Sequence, residues 1–335
     1  MYYPDIMLPE PGTWTEIAQG ILWLRMPLPF ELDHINLYLI KDTDGWIVID
    51  SGIGTDKTKA LWETIFDSLD EPIVGVLITH LHPDHVGLAG WITERFKAPL
   101  YMSQTEYFTA RAFTGAKNTE SRWRDEEYFR RAGLVDEKIS SLVGGNKGYS
   151  NVVAPIPVSY KRLKQDDVLT FNGHSWRVMI GRGHSPEHVC LYCEDLNILI
   201  AGDHILPQIT PNIGVYSTEP EGNTLQDYLT TLLPFAQLPD KTLVLPAHKR
   251  PFVGVAERVN QLIEHHQHHL MALIEACDTP KSVVELLPVM FKRELSGRNI
   301  LFALAECISH VNYLYFDNKM TRHLNNDGVY LYQSV

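Results

Sequence analysis

The chain has 335 residues, of which 44% are hydrophobic and 21% charged, an ordinary balance for a globular protein with room for two domains. A formal net charge of −12 argues against a nucleic-acid or anionic-membrane partner, because phosphate binding needs a basic surface. No stretch approaches a membrane span, and the start, Met1-Tyr2-Tyr3-Pro4-Asp5, lacks the basic and apolar regions of a signal peptide, so a cytoplasmic location is expected.

In chain order, strands are expected over 21–25, 36–40 and 46–50, with Asp44-Gly45 as a turn signal. A helix over 55–69 would be capped by Thr55 or Asp56. The apolar run 73–78 then leads into Thr79-His80-Leu81-His82-Pro83-Asp84-His85. In an extended segment, residues two apart face the same way, so His80 and His82 can converge on one ion. Pro83 stops the strand, and Asp84 and His85 fall in a turn opening a helix over 87–96, able to face a second ion. A lone histidine is usually a satisfied core or surface side chain. Four potential ligands within six positions are costly to bury without an ion.

A short strand near 100–101 precedes residues 104–150, which are helical in composition. This insertion could lie over the site, with Trp123 and Phe129 as a substrate wall, or pack as an amphipathic element with a solvated face. Mixed strands and helices continue over 158–245. Cys190 and Cys193 form a CxxC on the strand 188–193, where residues three apart point to opposite faces, so packing is the expected role. Cys277 and Cys307 read as small apolar helix residues.

From 255 the pattern becomes helical: 255–275, then 281–291 after the cap and proline signals of Asp278-Thr279-Pro280, then 299–315. Strand 320–323, the Asn326-Asp327-Gly328 turn and strand 329–332 complete the elements of a winged helix. From 260 to 335 there are six Lys/Arg against eight Asp/Glu, the wrong sign for a nucleic-acid footprint. A packing role, homodimerisation through this module, or a wall of the substrate cleft is expected instead. In His265-His266-Gln267-His268-His269, His265 and His269 stand one helical turn apart, a spacing that can bind metal. No acidic or cysteine partner at helical spacing accompanies them on a helix expected to be exposed or interdomain. A structural role is preferred there, as for His34, His174 and His204.

The His-x-His-x-Asp-His run resembles the signature of the metallo-β-lactamase-fold hydrolases. Later markers stand in the family's order: Asp50 in Ile47-Val48-Ile49-Asp50-Ser51-Gly52, His184 in Gly183-His184-Ser185, Asp203 in Ala201-Gly202-Asp203-His204, and His248 in Pro246-Ala247-His248. Periodicity alone supports α/β. The resemblance implies an αββα sandwich over residues 1–255, with the helical insertion at about 104–150 and a winged-helix-like module over 256–335. It also implies a first metal site of His80, His82 and His184, a second of Asp84, His85 and His248, and Asp203 as the bridge. Each later candidate follows a short apolar run, where rigid scaffolds place chemistry. Asp50 and His188 are the candidates for outer partners that fix imidazole tautomers.

Two divalent ions would follow, Zn²⁺ first, with Fe or Mn also suited to imidazole and carboxylate. They would generate hydroxide by lowering water's pKa from about 15.7 toward about 7, with Asp84 orienting it toward an activated acyl carbonyl. No Gly-x-Ser-x-Gly elbow, phosphate-binding loop or His-Glu-x-x-His helix competes. Asp203 stands where one family branch has a zinc-bound cysteine, and His82 where the di-iron branch has glutamate. Lys249 and Arg250 follow the last ligand, and either contact an anionic substrate or face solvent. A glyoxalase II-like small-molecule hydrolase is expected, acting on a thioester of acyl-CoA or glutathione type. A lactonase is the alternative, and a nucleic-acid protein using the winged module comes third. A mononuclear iron dioxygenase ranks lower, because it leaves Asp84, His85 and His248 without an ion.

Overall fold

The computed structural model describes residues 1–29, 32–115, 123–135, 138–139, 148–292, 295 and 299–335. Alternation along the strands assigns each face. In strand β2 (Ile21–Pro27), Leu22 and Leu24 point one way while Ile21 and Trp23 point the other. The inner set joins Tyr38, Ile40, Ile47 and Ile49 to Trp176, Val178, Val189, Leu191 and Ile200 of a second sheet, forming the layer between the sheets. The outer set of the first sheet packs on Trp62 and Ile65 of helix Asp56–Ser68 and Ile92 of helix Ala89–Phe96. The outer set of the second sheet, including Met179, Cys190, Leu199 and Val244, packs on the C-terminal helices. Helix, sheet, sheet, helix is therefore the layer order, as the resemblance implied.

The first sheet has seven strands in sequential order, antiparallel from β1 (Trp14–Ala18) through β3 (His34–Asp42) to β4 (Gly45–Ile49), and parallel onward through β5 (Ile73–Leu77). The second has six, running from Phe252–Val253 through Leu243–Pro246, Ile198–Gly202, His188–Cys193 and His174–Gly181 to Val168–Phe171. Thr55 caps the first helix, its side chain accepting from the Thr58 N–H at 3.2 Å. The helix expected over 87–96 is split: Pro83 starts a single turn, Pro83–Val86, and Ala89–Phe96 follows. All four cysteines are free and buried, with Cys190 and Cys193 on opposite faces of their strand.

Within the insertion, helices Gln104–Gly115, Trp123–Arg131 and Tyr149–Val152 are described; the expectation for 116–122, 136–137 and 140–147 lies outside the described residues. The C-terminal elements are helices Val255–Ala276, Val283–Met290 and Asn299–Phe316 and the hairpin Met320–Leu324 with Tyr330–Ser334. Two expectations need correcting here. The cap of helix Val283–Met290 is Ser282, in a reciprocal box with Glu285, and not the Asp278-Thr279-Pro280 run. Helix Val255–Ala276 is no exposed spacer, because Val259, Leu262, Leu270 and Leu273 share the core of the second sheet. Among the described residues, no helix is long and apolar enough to cross a membrane.

Candidate metal centre

Every loop that carries a predicted ligand leaves the end of a strand. Strand β5 stops at Leu77, so His80 and His82 do not converge by strand alternation as expected. They converge in the loop, with His80 Nε2 2.8 Å from His82 Nδ1. Asp50, just past β4, holds that loop. Its carboxylate accepts from the Thr79 N–H and hydroxyl, both at 2.8 Å, and from His85 Nδ1 at 2.7 Å. Asp50 sits at φ 59°, a left-handed conformation rare outside glycine that aspartate tolerates better than most. On the second sheet, Asp203 follows Gly202, whose φ is 51°. A Cβ there would lie 2.5 Å from His188 Cε1, so glycine lets the Asp203 turn close over the His188 ring.

The seven residues meet. Asp203 Oδ2 lies 3.4 Å from His184 Nε2 and 3.5 Å from His85 Nε2, while Oδ1 lies 3.4 Å from His248 Nε2. Asp84 Oδ2 lies 3.5 Å from His248 Nε2 and 3.7 Å from His85 Nε2. Two donor sets result, His80/His82/His184/Asp203 and Asp84/His85/His248, each with its ligand atoms within 4.8 Å of one another. Donors about 2.0–2.2 Å from a shared tetrahedral ion stand at separations near these. The outer nitrogens are occupied. His184 Nδ1 faces the Asn212 carbonyl at 2.9 Å, His248 Nδ1 the His34 carbonyl at 3.0 Å, and His85 Nδ1 faces Asp50. Each acceptor fixes the proton outside and leaves an Nε2 lone pair facing inward. Consistently, His85 Nε2, His184 Nε2 and Asp203 Oδ1 are buried without a hydrogen-bond partner. The donor set fits a pair of divalent cations.

Electrostatics point the same way. Burial alone would depress His85 and His248, but Asp50, Asp203 and Asp84 lift His85 well above the usual imidazole value, and Asp203 with Asp84 lifts His248 to about 10. Burial, then neighbouring imidazoles, push His80 well down, and burial takes His82 to about 3. The carboxylate side of the cluster attracts cations, and the other side keeps its rings neutral and able to ligate.

His188 is fully buried, stacks on His80 with centroids 4.7 Å apart, and its Nε2 accepts from the Asp203 N–H at 3.1 Å. It therefore positions the backbone of Asp203. Trp123 is half exposed at a cavity of about 370 Å³ shared with Arg131, Arg322 and Tyr330. Phe129 packs against the core of the second sheet, and Arg250 Nη2 donates to the Ile6 carbonyl at 2.9 Å. Sequence reasoning missed Glu106. Fully buried, its carboxylate accepts from the Leu81 N–H at 2.9 Å and the Glu187 N–H at 2.7 Å, tying the two ligand loops together. Its signal was an acid on the apolar stripe of Tyr107 and Ala110.

Residues 31–248 match the metallo-beta-lactamase superfamily, and residues 270–335 match a metallo-beta-lactamase-like C-terminal domain. A solved beta-lactamase domain protein from Burkholderia ambifaria is 39% identical, with a TM-score of 0.92 over 99% of this chain and 98% of that one. The Bacillus subtilis protein named "Probable metallo-hydrolase YqjP" is 22% identical over 93% of this chain and 98% of its own length. Human "Acyl-coenzyme A thioesterase MBLAC2" is 24% identical over 73% of this chain and 83% of its own. With its His/Asp cluster on loops from both sheets of an αββα sandwich, the chain belongs to the metallo-beta-lactamase superfamily and is a metallo-hydrolase.

Proposed function

We propose that the cluster holds two divalent cations, Zn²⁺ foremost, and that the protein hydrolyses an activated acyl bond, a thioester of acyl-CoA or glutathione type. The observation that carries this reading is the Asp203 carboxylate, with one oxygen toward His184 and His85 and the other toward His248. His80, His82 and His184 would hold one ion, and Asp84, His85 and His248 the other. Bound there, such ions supply Lewis acidity and a nucleophile from water at neutral pH, without a side-chain base.

The chain's own residues do the positioning. Asp84 is the more open of the two inner carboxylates, with its side chain 19% exposed against 10% for Asp203. It can accept a hydrogen bond from the attacking water and aim it at the acyl carbon. His80 and His85, with no exposed surface, close the floor to bulk water. A thioester suits a site of imidazoles and ionised carboxylates. A thiol's ordinary pKa is about 8.5, so the thiolate leaves without a proton donor. The similarity to the human acyl-CoA thioesterase favours the same class.

The test is a chelator-controlled panel of acyl-CoA, S-acylglutathione and lactone substrates. Thioester turnover should disappear on metal removal and return with Zn²⁺. Chelator-insensitive turnover would overturn the metal reading. Lactones cleaved at least tenfold faster than any thioester would move the assignment to a lactonase.

A further inference from the structure

Helices Val255–Ala276 and Asn299–Phe316 bury a second group of imidazoles with a carboxylate. His266 and His310 have no exposed surface and Glu306 is 8% exposed. From the hydrogen bonds, the protons can be placed one by one. His310 Nδ1 lies 2.8 Å from the Glu306 backbone carbonyl, which can only accept, so Nδ1 carries the hydrogen. Neither ring has exposed surface, and burial favours the neutral imidazole in both. His310 Nε2 is then a bare acceptor. His266 Nδ1, 3.1 Å away, must donate to it. That leaves His266 Nε2 as a lone pair, and it is buried with no hydrogen-bond partner.

This lone pair is one end of a donor set. One ligand atom from each of His265, His266 and Glu306 lies within 4.8 Å of the other two. Asn212 Nδ2 donates to Glu306 Oε2 at 3.1 Å, yet among the described residues no lysine or arginine forms an ion pair with that buried carboxylate. Arg258, on the same helix as the histidines, is engaged by the Leu206 and Ile209 carbonyls. His269, whose ring centroid is 4.4 Å from that of His265, adds another buried nitrogen without a partner, Nδ1. A buried carboxyl group with no cationic side chain paired to it, facing imidazole lone pairs, is an arrangement that a metal cation would complete in place of a proton.

We propose that His265, His266 and Glu306 form a separate site for one transition-series dication such as Zn²⁺, between the two C-terminal helices. Two imidazoles and a carboxylate favour Zn²⁺, Co²⁺ or Fe²⁺ over Mg²⁺ or Ca²⁺, which prefer all-oxygen sites. The site shares no residue with the Asp203 cluster, although Asn212 touches both, its amide on Glu306 and its carbonyl on His184. It rests on no assumption about the substrate.

The experiment is metal stoichiometry of the full chain, stripped with chelator, reloaded with Co²⁺ or Zn²⁺ and dialysed. Asp203→Ala with His82→Ala should empty the catalytic cluster and still retain one equivalent, with a Co²⁺ absorption spectrum of its own. Adding His266→Ala should remove that equivalent. His265→Ala in the otherwise intact chain, at a half-buried position that folding tolerates better, should lower the total by one. The proposal is overturned if the cluster-null chain binds no metal, or if neither histidine substitution changes the count, in which case the lone pair meets a buried water. Absence of thioester turnover in the fully metal-loaded wild type would count against the substrate reading and leave this site untouched.

Discussion

Two groups of buried imidazoles sit in this chain, and they are built by opposite means. Around Asp203, the ligands come from loops at strand ends, and the outer ring nitrogens of His85, His184 and His248 are each met by an oxygen of the scaffold: Asp50, the Asn212 carbonyl and the His34 carbonyl. Around His266, the groups come from two helices, and the ring's outer nitrogen is met by another ring, His310. The first arrangement concentrates negative charge, with two carboxylates inside and a third behind His85. The second has one carboxylate. If both proposals hold, the first cluster should bind its cations more tightly than the second binds its one.

Removing the Asp203 carboxylate should have the largest effect. Asp203→Ala deletes the carboxylate whose oxygens face His184 and His85 on one side and His248 on the other, so turnover should fall to background. Metal analysis should show loss from the catalytic cluster and retention between the helices. Equal loss from both would erase the distinction. Next comes Asp50→Asn. The amide cannot accept from Thr79 and His85 together as the carboxylate does, so His85 loses its fixed tautomer, and metal affinity or activity should drop about 10–100-fold. An unchanged affinity would mean that the loop is held by other contacts.

Glu106 tests whether the two ligand loops are one unit. Glu106→Ala leaves the buried Leu81 N–H and the partly buried Glu187 N–H unpaired, at about 1–3 kcal/mol for the buried one. The melting temperature should fall by several degrees, and catalytic metal should bind more weakly than in wild type. A stability loss with unaltered metal affinity would show that Glu106 supports the fold without positioning the ligands.

How much of this could be read in the sequence follows from where the contacts lie. His80 to His85 are contiguous, and His184, Asp203 and His248 each follow an apolar run, so the residues that the structure brings together are legible from the signature. Local geometry was less so. The strand stops at Leu77, and His80 meets His82 because Asp50 and Thr79 bend the loop, a tertiary effect absent from any window of sequence. Glu306 was invisible as a partner for His265 and His266. It lies 40 residues away on another helix, and spacing within one helix could not reveal it. The Ser282-x-x-Glu285 box was present in the sequence as a standard N-terminal signature. The nearby proline drew the boundary too early.

The smallest effect concerns whether the two regions melt together. The outer face of the second sheet and all three C-terminal helices share one set of buried apolar residues, from Met179 and Leu199 to Val283, Leu304 and Val311. A substitution that weakens helix Val283–Met290 should therefore shift one common transition. Ser282→Ala removes the hydroxyl that accepts from the Glu285 N–H and donates to its carboxylate, a loss of about 1 kcal/mol. The Ser282 N–H, then its hydroxyl, hold the Glu285 carboxyl below its ordinary 4.5. A depressed acid adds stability that is complete above about pH 4.5 and fades as pH falls through the folded value. The gap between Ser282→Ala and wild type should thus be constant from pH 7 to about 5 and narrow below that. Calorimetry showing two transitions, with only one moved by Ser282→Ala, would separate the C-terminal helices from the sandwich that holds the catalytic cluster.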